Sequence, residues 1–181
     1  MSMPRIRRAH LRAVVCIALG AGVMDVPLHI GDSFPRLAGE AVSGRAIEVP
    51  ARNASNPVVV IVSFSRAAGN EAQHWDELLA RDRTNGDVEV IVVAEIQSVP
   101  RLIRGTVAYA IRLGIPPNLR DRMIVLDHDD EAWRSRLSVK STDHAYAVLV
   151  DTAGKVGWLS DERSIDDNVA RLREAAGRLK K

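Results

Sequence analysis

Four carboxylates and one imidazole fall within five consecutive residues, Asp127-His128-Asp129-Asp130-Glu131. Clustered oxygen donors of this kind suit a hard cation. The run lacks the spacing of a calcium loop, with its central glycine and distal glutamate. An acidic start to the helix at Ala132 accounts for it without a metal, because carboxylates are favourable at the positive end of a helix dipole. The other histidines, His10, His29, His74 and His144, are scattered, with no His-x-x-x-His pair and no cysteine beside them. No metal site is therefore expected. Nucleophiles are scarce, for the chain has one cysteine, Cys16. Ser65 stands where a β-branched run meets a helical stretch, but a serine hydroxyl needs an adjacent base to attack anything. Its expected role is to cap the helix. Arg66, at an anion-friendly helix end, is expected to be solvated. No glycine-rich phosphate loop follows any strand, so neither a nucleotide nor another cofactor is expected.

The elements that position these residues alternate. Pro57 to Phe64 is a continuous β-branched run, typical of a strand buried on both faces. Ala67 to Arg81 has helical spacing, with Ala68, Ala72, Trp75, Leu78 and Leu79 on one face and Glu71, Asp76 and Glu77 pointing away. Asn85-Gly86-Asp87 marks a turn. Val88 to Ala94 is a second buried strand. Pro100 opens a helix through Leu113 that Gly114 closes as a cap. Ile115-Pro116-Pro117-Asn118 is a rigid connector. Met123 to Leu126 is a third strand and Glu131 to Leu137 a short helix. Tyr146 to Val150 and Lys155 to Leu159 form a hairpin about Gly154, which takes positive φ. Ser164 caps a last helix whose apolar side carries Ile165, Val169, Leu172 and Leu179. This order implies a central mixed sheet sandwiched by helices, an α/β architecture. Trp75 and Trp133 fall at core positions, whereas Trp158, at the end of an edge strand, is the expected exposed contact.

A chain of 181 residues suits one domain, and 46% apolar with 27% charged residues is ordinary for a globular protein. The net charge is +2, and four arginines (Arg5, Arg7, Arg8, Arg12) precede an uncharged run from Ala13 to Met24. Without them the remainder is near neutral, which argues against nucleic acid as a partner. The run is too short to span a bilayer as a helix but fits the hydrophobic region of an export signal. Residues 1–26 are read as a signal or targeting segment and 27–181 as the domain. The expected location is the periplasm or envelope. Mitochondrial-type targeting and a cytoplasmic location are the alternatives. Removal of the segment would remove Cys16 and every thiol.

Gly31-Asp-Ser-Phe-Pro-Arg-Leu37, with Gly39 and Gly44, resembles the Gly-x-x-Phe-Pro opening of redoxin domains. The buried strand ending in Ser63-Phe64 strengthens the likeness, and a hairpin followed by a C-terminal helix resembles the antiparallel edge of a thioredoxin-like sheet. In redoxins the loop after the first buried strand carries the reactive cysteines, because helix N–H groups stabilise a thiolate there. The resemblance places Gly69 and Ala72 at those positions, and Ala145 near the usual cis-proline. Both parts of the redox site are thus expected to be missing.

Leu137-Ser-Val-Lys-Ser-Thr-Asp-His-Ala-Tyr-Ala-Val-Leu-Val-Asp151, with Gly154-Lys-Val-Gly-Trp158, is similar to the mitochondrial ATP synthase assembly-factor family, which helps install the membrane-embedded subunit a. The Ile115-Pro-Pro-Asn-Leu119 connector and the Val-Ser-Phe strand with Trp75 downstream add to it. The likeness runs from about Gly31 to Leu172. It implies a non-enzymatic role in assembling or chaperoning a membrane-associated complex, with a protein partner at a membrane. The alternative is a redoxin-superfamily oxidoreductase or peroxidase relative with a degenerate site. Candidate interaction residues are Ser65, Arg66, Asn70, His144, Ala145 and Trp158.

Overall fold

The computed structural model describes residues 26–81, 88–160 and 164–179. Cys16 with its apolar stretch, and the turn expected at Asn85-Gly86-Asp87, lie outside the described residues. A short antiparallel hairpin comes first, β1 (Leu37–Glu40) and β2 (Ala46–Val49). The sequence pattern had not resolved it, because strands of four residues carry too few alternations to register. Gly39 is required there, since a Cβ would lie 2.8 Å from the Ile124 side chain.

β3 (Val58–Ser63) is buried at every position and occupies the middle of a five-stranded sheet. It leads into α1 (Arg66–Ala80), then β4 (Glu89–Glu95), α2 (Arg101–Gly114), a 3-10 turn (Pro117–Leu119), β5 (Met123–Leu126) and α3 (Asp130–Arg136). β6 (Tyr146–Val150), β7 (Val156–Leu159) and α4 (Ile165–Arg178) complete the chain. The sheet order is β5-β4-β3-β6-β7, with β3, β4 and β5 parallel and β6 and β7 antiparallel to their neighbours. Alternate residues of β3 feed two cores. Val60 and Val62 pack with Phe34, Leu37, Ile124 and Trp133, on the side of the β1–β2 hairpin and α3. Val59 and Ile61 pack with Trp75, Leu149, Trp158 and Leu172, on the side of α1 and α4. Each fully buried Val or Ile is worth roughly 1.5–3 kcal/mol, so this strand organises the molecule.

Two local expectations need correction. Gly114 keeps a negative φ inside α2, and the extended Ile115 ends the helix instead. Asp76 does not point away from the core. It is 3% exposed and receives both Nη groups of Arg122, at 2.5 and 3.0 Å. The arginine arrives from the segment ahead of β5, 46 residues away, so helical spacing could not reveal it. The Gly154 turn is as expected, with φ 77°; a Cβ there would lie 2.7 Å from the Pro50 ring.

Candidate functional site

The C-terminal ends of β3, β4 and β5 lie side by side, where open α/β sheets place their sites. At the end of β3, Ser65 adopts an extended backbone and its Oγ accepts the Ala68 N–H at 3.1 Å. That is the expected cap, with a typical worth of ~1 kcal/mol. The helix is under way by Gly69, whose N–H already donates to the Ser65 carbonyl at 2.9 Å. The N–H groups of Arg66 and Ala67 are among those left over at this opening. This corrects the placement of Gly69 and Ala72 at the junction: Gly69 lies a full turn inside α1, and Ala72 is fully buried against the core. Arg66 and Asn70 are exposed at the same end, and Ser65 is half-buried.

Facing α1 is the loop from Leu137 to Ala145. His144 is exposed and its Nδ1 lies 3.2 Å from Glu71 Oε2, one turn beyond Arg66. Behind this contact opens a cleft of about 820 Å³, lined by Glu71 and Trp75 of α1, by Lys140, His144 and Ala145 of the loop, and by Asn168 of α4. Ala145, expected on the surface, is 7% exposed and reaches the cleft only as part of its wall. The Trp75 indole is 1% exposed and its Nε1–H meets no acceptor among the described residues. A buried donor left unpaired costs about 1–3 kcal/mol, which an acceptor reaching it would recover.

Tyr146 holds the loop in place. Its hydroxyl accepts the N–H groups of Lys140 and Ser141, at 3.0 and 3.2 Å, and donates to the Ser141 carbonyl at 2.9 Å. Tyr146→Phe removes all three bonds and is expected to cost about 1–3 kcal/mol. Amide hydrogen exchange at Lys140 and Ser141 should accelerate about tenfold or more while β3 and β4 stay protected. Unchanged exchange at both amides would contradict this role.

Trp158 is the second correction to the expected surface. It is 7% exposed and its ring lies 6.3 Å from that of Trp75. An irregularity in the β6–β7 register decides which core it joins: Val150 pairs with Val156 but Leu149 with Trp158. The extra residue, Gly157, lets β7 send Val156 to one core and Trp158 to the other, beneath α1 and α4. Strict alternation from the sequence cannot foresee a bulge.

At the end of β4 sits a group that the sequence reading had not singled out. Glu95 is 3% exposed and accepts the Gln97 N–H at 2.8 Å. Asp130, from the Asp127–Glu131 run, is held by Arg134 Nε at 2.7 Å, and its own N–H donates to Gln97 Oε1 at 2.7 Å. Glu95 Oε2 and Asp130 Oδ1 are buried, and no other group among the described residues donates to them. Burial first, and the hydrogen-bonded Asp130 carboxyl second, push the Glu95 carboxyl up to about 8. At neutral pH Glu95 thus keeps its proton beside the Asp130 carboxyl. Arg134 also lies over the Phe64 ring at 4.9 Å, tying this pair to the end of β3. A buried glutamate at the end of an apolar strand was the signal available in the sequence. The rest of the acidic run behaves as a helix start: Asp130 and Glu131 occupy the first turn of α3 and Arg134 and Arg136 the last. His128 and Asp127 remain exposed, 3.3 Å apart. Among the described residues no three such side chains converge on a point that would hold a metal.

The fold is thioredoxin-like, a central mixed five-stranded sheet flanked by helices. The chain superimposes on a protein assigned as thiol:disulfide interchange protein DsbE from Chlorobium tepidum with a TM-score of 0.57 and 16% identity, over 83% of this chain and 98% of that one. The thioredoxin domain of a thiol-disulfide oxidoreductase from Bacteroides vulgatus gives 0.57 and 15%, over 82% and 99%. The exposed lipoprotein thioredoxin Etrx1 of Streptococcus pneumoniae gives 0.54 and 12%, over 77% and 98%. At such identities the likeness is one of fold. No protein-family model and no curated protein sequence matches the chain.

Proposed function

We propose that this chain is a non-catalytic thioredoxin-like protein that holds a polypeptide segment during assembly or chaperoning of a membrane-associated complex, as the likeness to ATP synthase assembly factors implies. The observation that carries the reading is the β3–α1 junction itself. Where thiol chemistry would need a cysteine at the helix opening, the chain has Ser65 with its hydroxyl committed to capping Ala68 N–H. Beside it lies a cleft lined by apolar side chains such as Trp75 and Leu137 together with polar ones such as Glu71, Lys140 and Asn168, with a buried indole N–H suited to a peptide carbonyl. Export to the periplasm or envelope is part of the same proposal, and a membrane-associated partner is the expected occupant. The alternative, a redoxin-superfamily enzyme that keeps an activity without a thiol at this junction, has one observation in its favour. Glu95 carries a proton near neutrality at the neighbouring strand end, a property suited to a general acid.

Two measurements decide between them. The purified full chain is expected to have no disulfide reductase or peroxidase turnover above buffer, and Ser65→Ala to change nothing in that assay. Turnover abolished by Ser65→Ala would establish the enzyme. A photo-cross-linking residue introduced at His144 is expected to capture a discrete membrane protein in the native host. The same residue introduced at Ala170, on the exposed side of α4, should capture none. Equal, diffuse labelling from both positions would refute the docking role of the cleft.

A further inference from the structure

α2 is built the wrong way round for a helix that only covers a sheet. Of its fourteen residues, Ala108 alone is buried. Val107 and Ile111 flank Ala108 on the inward side, and Arg104 ties that side down by donating to the carbonyls of Gln97 and Val99 at 2.6 and 3.2 Å. On the opposite side Leu102, Tyr109 and Leu113 recur at spacings that stack them in one line along the helix. They are 99%, 62% and 64% exposed, with Ile103 beside them at 51%. Surface helices ordinarily put charge there. The charge that is present has one sign: from Gln97 to Arg120 the chain holds Arg101, Arg104, Arg112 and Arg120 and no Asp or Glu. Arg101 and Arg112, eleven positions apart, lie along one edge of the apolar line, both exposed.

We propose that α2 docks this protein on an anionic lipid bilayer, its Leu102–Tyr109–Leu113 line entering the headgroup boundary with Arg101 and Arg112 against lipid phosphates. Size favours this occupant over a second copy of the chain. A fourteen-residue helix is about 21 Å long and presents a stripe on the order of 200 Å², whereas a stable dimer buries about 800 Å² on each partner. Shallow insertion of a few large apolar side chains, assisted by arginines, is what an interfacial helix requires. The acid-free stretch supplies the charge complement for an anionic surface. The proposal is independent of what fills the cleft beside His144.

The test uses the full chain with Cys16→Ser and Leu113→Cys carrying an environment-sensitive fluorophore. On vesicles of phosphatidylglycerol and phosphatidylcholine its emission is expected to move to the blue and brighten several-fold. On phosphatidylcholine alone it should not, and the fluorophore at Ala170→Cys should respond to neither. In flotation of the unlabelled chain, Leu102→Gln with Tyr109→Gln should weaken binding to the anionic vesicles about tenfold or more. Arg101→Gln with Arg112→Gln should weaken it about fivefold per arginine, and added salt should mimic that loss. These side chains are exposed, so thermal melts should coincide with the parent. Flotation without a shift at Leu113 would overturn the proposal, assigning the binding to another part of the chain. So would a shift that tracks protein concentration without vesicles, which would assign the face to a second copy. Equal binding to both vesicle types would also overturn it.

Discussion

Asp76→Ala is expected to be the most damaging single substitution outside the apolar core, at about 3–5 kcal/mol. Asp76 is 3% exposed on α1, and its partner Arg122 approaches from the segment that enters β5, with 18% of its side chain exposed. Two Nη–H groups meet two carboxylate oxygens, the bidentate geometry in which charge-assisted bonds are strongest. Deleting the carboxylate leaves a guanidinium with little water and one remaining bond, from Nε to the Asn118 carbonyl at 3.2 Å. The penalty is mostly that of the stranded charge rather than the worth of the pair. A double variant, Asp76→Leu with Arg122→Met, should therefore recover most of the loss. Urea unfolding checks both, with the midpoint falling in the single variant at an unchanged slope. A loss under about 1 kcal/mol in Asp76→Ala would show the pair to be solvated and the argument wrong.

Glu95→Gln is expected to stabilise the protein at alkaline pH and to flatten its pH profile. The sign follows from the proton count. In the unfolded chain a glutamate ionises near its ordinary value of 4.5, whereas in the fold Glu95 holds its proton up to about 8. Between those values the folded state binds a proton that the unfolded state has lost, so stability falls as pH rises through that window. Below about 4.5 both states are protonated and Glu95 contributes no slope. Above 8 the folded state must carry a buried carboxylate beside Asp130, with only Arg134 to offset it. Glutamine keeps the shape and a donor toward Asp130 but cannot ionise. Relative to the parent, the variant should gain on the order of 2–4 kcal/mol between pH 5 and pH 9. At about 2–4 °C per kcal/mol for a domain of this size, melting curves resolve the change easily. Parallel profiles for the two proteins would mean that Glu95 is ionised throughout.

The strands were legible because β-branched runs such as Val58–Val62 have few other folds open to them. The caps at Ser65 and Ser164 were legible because a hydroxyl just ahead of a helix has one good use. Each accepts a first-turn N–H as expected, Ser65 from Ala68 and Ser164 from Asp167. Asp76 was misplaced, and Glu95 overlooked, for a common reason. Each is defined by a partner more than thirty residues away, Arg122 or Asp130, and local periodicity has no access to such a partner. Trp158 differs for another reason: the end of an edge strand is expected to be exposed, but the core beneath α1 and α4 extends over it. Gly69 lies inside α1 rather than at its opening because the helix begins earlier than the motif's spacing implies, at Arg66.

By itself, the sequence determined the order of elements from β3 onward, the apolar strands that fill the sheet and the scarcity of thiol. These rest on composition and on spacing over a few residues, which the chain carries wherever it folds. Tertiary structure alone decided that His144 meets Glu71, that Glu95 keeps a proton, that Trp158 turns inward, and that α2 leaves its leucines in the open. Each of those depends on which distant segment arrives alongside and how much water it displaces, and burial and pairing come into being only when the layers close.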